Sequence, residues 1–180
     1  MRILHEKTAS LVIDIQEKLF PHMQEKESLL QNCLRLVEGL QVLGIPVIIT
    51  QQYTKGLGMT TTPIIEKFPE FSYIEKIAFS CYDEPLVKEK LYSLKKEYII
   101  ICGIEAHVCV LQTCLDLAAN GFVPVVAEDC VSSRNLNDKR IAIERIRQEG
   151  GIVTTMESIL FELTRKAGSD VFKKISGIVK

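Results

Sequence analysis

The sequence predicts an α/β protein: a three-layer α/β/α sandwich around a six-stranded, mainly parallel sheet with strand order 3-2-1-4-5-6. Three observations carry this. Short apolar runs rich in β-branched residues alternate with segments of helical period. The runs are apolar at successive positions, as strands covered on both faces must be. The helical segments close on turn residues such as Gly44 and Asn120-Gly121.

In order, Ser10 to Asp14 reads as a short buried strand. A helix follows over Ser28 to Leu43, with Leu29, Cys33, Leu36, Val37 and Leu40 on one face. Pro46 to Thr50 and Tyr73 to Ala78 are the second and third strands. Pro85 to Lys96 is a helix with proline in its first turn. Glu97 to Ile104 is the fourth strand, and Val108 to Ala119 the helix after it. Strand Val123 to Ala127, helix Asn137 to Gln148, strand Ile152 to Thr155 and helix Met156 to Lys166 complete the alternation. In the tail, Val171, Phe172, Ile175 and Ile178 form a helical stripe opposite lysines, a pattern that docks a terminal helix on its own core.

The 180 residues suit a single domain, 1–180, able to bury a core without disulfides or metal. Twenty-two Lys and Arg balance 23 Asp and Glu for a net charge of −1, which predicts no nucleic-acid or membrane surface. No apolar run approaches the length of a spanning helix. Met1 to Lys7 lacks the apolar heart of a signal peptide. Six cysteines without a CxxC pair read as reduced thiols, so a cytoplasmic location is expected, with an organelle matrix equally compatible.

Chemistry concentrates at Ile99 to Thr113, where an apolar run meets Gly103, a short polar turn follows, and Cys109 falls in the first turn of the next helix. A thiol there sits by unpaired backbone N–H groups at the positive end of the helix dipole. That setting favours thiolate and suits a developing oxyanion. In parallel sheets ligands bind beyond the carboxyl ends of the strands, where strand order reverses. Asp14 closes the first strand, Lys76 lies within or just after the third and Cys109 follows the fourth. Taken singly, such residues are more often a cap, a solvated lysine and an apolar filler. Cys102 and Cys114 read as core, and Ser132-Ser133 as a loop and cap before a helix.

Several segments together carry a family resemblance: Leu11 to Gln16 (LVIDIQ), Lys76 to Ser80 (KIAFS) and Gly103 to Cys109 (GIEAHVC). To these are added Gln51 to Gly58 (QQYTKGLG), Glu128 to Arg134 (EDCVSSR) and Gly151 to Glu157 (GIVTTME). Over nearly all its length the chain resembles the isochorismatase-like cysteine hydrolases, and within them the isochorismatase-domain-containing proteins. The resemblance implies an isochorismatase-like hydrolase fold with Asp14, Lys76 and Cys109 as the catalytic triad. It also implies a non-proline cis bond at Ile104–Glu105, aiming the N–H groups of Glu105 and Cys109 at one oxyanion. A thiol of pKa ~8.5 lowered to about 6 would gain roughly 3.4 kcal/mol of thiolate stabilisation. Lys76 and the helix terminus are the expected sources. Asp14 would serve as general base and then general acid.

Absences narrow the reaction. Metal-dependent nicotinamidases of the superfamily carry an Asp-x-His pattern after the second strand, whereas Thr50 to Lys55 here reads TQQYTK. The three histidines, His5, His22 and His107, lack the spacing of a metal site, so neither metal nor cofactor is expected. True isochorismatases cleave a vinyl ether without a nucleophilic thiol, and Cys109 argues against that reaction. The expectation is therefore a metal-independent hydrolase of a small amide, carbamoyl or imide through a Cys109 thioester, with Phe20, Gln52, Tyr53 and Phe79 lining the pocket. A rival reading is an oligomeric binding or scaffold member with little turnover. The nuclease role attached to some relatives fits poorly with near-neutral charge. The resemblance further implies a homo-oligomer, a tetramer or larger.

Overall fold

The computed structural model describes all residues, Met1–Lys180. Six strands form one sheet: β1 Thr8–Ile13, β2 Val47–Gln52, β3 Ile74–Lys76, β4 Tyr98–Ile104, β5 Val123–Ser132 and β6 Ile152–Thr154. The order is β3-β2-β1-β4-β5-β6 and every pairing is parallel, so the predicted topology holds. The helices are α1 Lys26–Val42, α2 Thr54–Leu57, α3 Thr62–Ile65, α4 Pro85–Leu94, α5 Leu111–Ala119, α6 Leu136–Gln148, α7 Met156–Thr164 and α8 Asp170–Ile178.

Side-chain alternation along β1 and β4 divides the core into two layers. Val12, Ile100, Cys102 and Ile104 pack with α1, α7 and Ile175 of α8 on one face. Leu11, Ile13, Ile99 and Ile101 pack with α4, α5 and α6 on the other. The predicted stripe of α1 is the buried one: Leu29, Cys33, Leu36, Val37 and Leu40. Its end is a Schellman motif. Gly44 takes φ +68, its N–H reaches Gln41 O at 3.0 Å, and Ile45 N–H reaches Leu40 O at 2.9 Å.

Several boundaries differ from expectation. The third strand is only Ile74–Lys76, because Lys76 turns inward to ligate loop carbonyls rather than continuing a ladder. The fifth strand runs on to Ser132 past a register shift opposite Ile101 to Gly103. The cap of α6 is Asn135, whose side chain accepts from Asn137 N–H at 2.9 Å, rather than Ser132-Ser133. The helix expected from Val108 is preceded by a single π turn, Ala106–Val110, which holds Cys109. The Ile104–Glu105 peptide is cis.

Gly103 is what lets the central strands meet at this end. It takes φ +126, and a Cβ on it would run into the backbone N and O of Ile13. Only glycine accepts both the dihedral and the contact. The exits of β1 and β4, which carry Asp14 and the turn to Cys109, are thereby brought side by side.

Candidate active site

The site is assembled where β1, β2, β3 and β4 end. Strict alternation would place Asp14 on the Val12 face, yet Asp14 adopts the left-handed region at φ +52. That turn swings its side chain to Thr50, which sits across from Ile13 in register. Aspartate is among the few residues that tolerate this conformation. Thr50 Oγ1 donates to Asp14 Oδ1 at 2.8 Å. Gln16 then locks the neighbouring exit of β2. It accepts from Gln52 N–H at 2.7 Å and donates to Gln52 O at 3.0 Å and Gly58 O at 2.7 Å.

Lys76 ends β3 with its side chain fully buried. Its ammonium donates to Gln52 Oε1 at 2.7 Å and to the carbonyls of Ala78 and Phe79 at 3.1 Å each. Nζ also lies 2.6 Å from Asp14 Oδ2, but the approach is off the hydrogen-bonding direction, and Oδ2 is left without a donor. Burial works to lower the Lys76 pKa. The negative charge of Asp14, above all, outweighs it and holds the pKa above its ordinary value, so the amine stays an ammonium.

Cys109 lies in the π turn between β4 and α5, where Val108 and Val110 both donate to Glu105 O, at 3.1 and 3.2 Å. Burial, then the charge of Asp14, push its thiol well above the ordinary cysteine range, and Lys76 opposes them only in part. The thiolate expected from the sequence is therefore replaced at rest by a neutral thiol, because desolvation exceeds what the ammonium returns. Asp14 and Lys76 are thus the two charged groups that act on the Cys109 thiol, in opposite directions. The main-chain N–H groups of Glu105 and Ala106 donate to no acceptor of the protein.

Three neighbours were given no role at the site by the sequence. Cys81, buried to zero exposure, lies 3.7 Å from Thr50 Oγ1, and its N–H donates to Thr113 Oγ1 at 2.9 Å. Arg134 grips the buried carboxylate of Glu105 through its main-chain N–H at 3.1 Å and its Nε at 3.1 and 3.2 Å. Ser133 contacts His107 Nδ1 at 2.9 Å. Cys81 carries no local motif, and although Ser133 and Arg134 end the EDCVSSR segment, their contacts depend on which strand ends become neighbours.

Of the expected lining residues, Gln52 is spent on Lys76 and on Ile77 O at 2.6 Å, which makes it part of the site's scaffold. Phe20 packs partly buried against the α1-side core. Tyr53 and Phe79 are about half exposed and stand beside the strand exits, with Ile77 more exposed still. Open surface clefts lie elsewhere, such as one of about 240 Å³ between α1, β5 and α6 that includes Asn32 and Asp129. Chemistry rather than cleft size locates the candidate site. No group of three or more His, Cys, Asp and Glu side chains converges as metal ligands.

An all-parallel sheet between two helical layers, with the buried pair of Asp14 and Lys76 at its carboxyl edge, defines a three-layer α/β domain. The Isochorismatase domain model matches residues 8–158, and the chain belongs to the isochorismatase family. It is 39% identical over 183 aligned residues to Isochorismatase family protein 1B of Dictyostelium discoideum, covering 99% of this chain and 89% of that protein. A Caenorhabditis elegans structure described as MAR1 ribonuclease superposes with TM-score 0.93 at 35% identity, covering 99% of this chain and 92% of that one. The Escherichia coli YcaC gene product, described as an octameric hydrolase of unknown specificity, shares the fold at 23% identity. Its TM-score is 0.93, with 99% of this chain and 89% of that one covered.

Proposed function

We propose that this protein is a metal-independent cysteine hydrolase that cleaves the C–N bond of a small amide, carbamoyl or imide compound. The observation that carries the reading is the wholly buried pair of Asp14 and Lys76 acting on Cys109, which is the most accessible of the six thiols though itself only 6% exposed. A buried ion pair is a poor stabilising device, since apolar residues in its place are often neutral or better. Its placement beside a thiol fits acid–base work.

In this mechanism Asp14 Oδ2, which receives no hydrogen bond, takes the Cys109 proton as Sγ attacks the carbonyl carbon. The carbonyl oxygen becomes an oxyanion facing the N–H groups of Glu105 and Cys109. Collapse breaks the C–N bond, and Asp14 passes its proton to the departing nitrogen. Water then attacks the thioester and gives a proton to Asp14; release of the carboxylic acid returns the thiol. Lys76 holds negative charge in place throughout. Tyr53, Ile77 and Phe79 offer an apolar rim that fits a small, weakly charged substrate.

The name of the Caenorhabditis elegans relative puts RNA in any substrate panel. The ammonium here is committed to three oxygens inside the protein, which leaves it unfit to meet a phosphate. We also expect assembly into a tetramer or larger. Exposed Leu86, Ile77 and Ile141 give a chain of this size apolar surface to cover. Gel filtration at a mass near the 20.3 kDa chain would refute that.

The central test is iodoacetamide labelling at pH 6–7 with peptide mapping, alongside mass-spectrometric trapping of a Cys109 adduct from amides, carbamates, imides and RNA. Because Asp14 takes the proton as the sulfur attacks, Cys109 is expected to label faster than the other five thiols although it rests neutral, and to slow in Asp14→Asn and Lys76→Ala. Uniformly slow labelling of all six thiols is the behaviour of a binding or scaffold member, and would remove the hydrolase reading.

A further inference from the structure

Cys81 is a second buried thiol within reach of the same charges, and the mechanism above does not use it. Its surroundings define a chain of hydrogen bonds with a fixed direction. Thr50 has one hydroxyl hydrogen, and it goes to Asp14 Oδ1 at 2.8 Å. The Thr50 oxygen can then only accept, so the 3.7 Å contact with Cys81 Sγ is an S–H donated by Cys81. Burial, then the charge of Asp14, push the Cys81 thiol up to about 11, so the hydrogen it donates is retained through neutral pH. Cys81 is itself fixed by its N–H on Thr113 Oγ1 at 2.9 Å. Thr113 stands four residues beyond Cys109, one helical turn further on. The chain thus ties α5, the loop after β3, β2 and β1 together, and Thr50, Cys81 and Thr113 are each at most 0% exposed.

We propose that Thr50 and Cys81 are positioning residues for the reaction: they bind Oδ1 of Asp14 and so leave Oδ2 as the single basic oxygen turned toward Cys109. A carboxylate free to rotate would present either oxygen to Lys76 or to the sulfur. Here one oxygen is held by a hydroxyl whose lone pair is in turn occupied, and the other meets only the Lys76 ammonium, at 2.6 Å. Cys81 is the anchor of that relay, not a nucleophile. The inference rests on the hydrolase reading of Cys109.

The test measures the rate of Cys109 alkylation against pH, with Cys109 located by peptide mapping, in wild type, Thr50→Val, Thr50→Ser, Cys81→Ala and Cys81→Ser. Thr50→Val is expected to slow Cys109 at least about tenfold and to move the acid limb of the profile up by roughly one pH unit, because the charged carboxylate loses a donor. Thr50→Ser should restore both. Cys81→Ala should show a smaller change in the same direction, and Cys81→Ser should recover it, since its hydroxyl donates where the thiol did. If Thr50→Val fails to fold, the Cys81 pair decides alone. Unchanged profiles in Thr50→Val or Cys81→Ala, or rate losses that the serine variants share, overturn the inference while leaving the hydrolase reading intact. A wild-type Cys109 that labels no faster than the other thiols overturns both.

Discussion

Lys76 touches Asp14 without giving it a hydrogen: 2.6 Å separates Nζ from Oδ2, while the three ammonium hydrogens go to Gln52, Ala78 and Phe79. The carboxylate gains a neighbouring positive charge and keeps a free lone pair. In the proposed mechanism the proton that this acceptor takes comes from Cys109.

The pair should therefore behave as a functional rather than a stabilising feature. Lys76→Met is expected to destabilise by about 3–5 kcal/mol, since it strands a buried carboxylate. The double variant Asp14→Leu with Lys76→Met should recover most of that loss or exceed wild type, while Cys109 labelling stays slow. Urea unfolding of the two variants checks this; a double variant as unstable as the single one would mean the charges hold the fold together.

Alkali should unfold the protein progressively. Cys81 and Cys130 are pushed up from the ordinary 9.0 to about 11, chiefly by burial, so the folded state keeps protons that the unfolded chain has lost. Stability from these groups is complete below about pH 9 and falls as pH rises through about 11, each thiol contributing on the order of 2–3 kcal/mol. Lys76 is raised as well and adds the same sign at higher pH. The urea midpoint should drop between pH 8 and 10.5, with a shallower slope in Cys130→Ala. A flat midpoint across that range would contradict the assignment.

Two glycines with positive φ should respond very differently to alanine. Gly103→Ala drives a methyl into the backbone of Ile13, and we expect loss of more than about 4 kcal/mol, seen as failure to accumulate folded protein. Gly44→Ala meets no atom within 4 Å and bears only the left-handed conformation, at roughly 1–2 kcal/mol. Similar denaturation midpoints for the two would show that the strand crossing is more pliant than it looks.

Arg134→Ala leaves the nearly buried Glu105 carboxylate with a single main-chain donor. Because the Arg134 side chain is 65% exposed, the stability loss should be only about 1 kcal/mol. The effect on Cys109 labelling should be larger in proportion, since Glu105 begins the turn that carries the sulfur. Equal labelling rates in variant and wild type would show that this clasp has no influence on the turn.

The strand runs can be read from residue pattern alone, whereas the order of the sheet follows only from the resemblance. Buried parallel strands such as Tyr98–Ile104 are continuous in their apolarity, and chain reversals such as Gly44 have few alternatives. Asp14, Lys76 and Cys109 stood out because charge or thiol at the end of an apolar run is unusual. The supporting residues did not. Thr50 matters only because it faces Ile13 across two strands, and Cys81 only because Thr50 has no second hydrogen. Nothing within several residues of either announces this. The π turn at Ala106–Val110 was hidden for a different reason, since its side chains share the apolar period of the helix they precede. Gln52 illustrates a third limit: a polar residue beside a pocket can be wholly consumed by its neighbours.

The carbonyls that hold Lys76 belong to Ala78 and Phe79, and Gln52 holds that of Ile77, so the bonds that fix the amine also pitch the Ile77 and Phe79 side chains outward. The contour of the doorway and the charge at its far end are thus set by the same few atoms. A lineage that altered position 76 would change selectivity and rate in one step, and new specificities are more easily reached by exchanging the protruding side chains than by touching what lies beneath them.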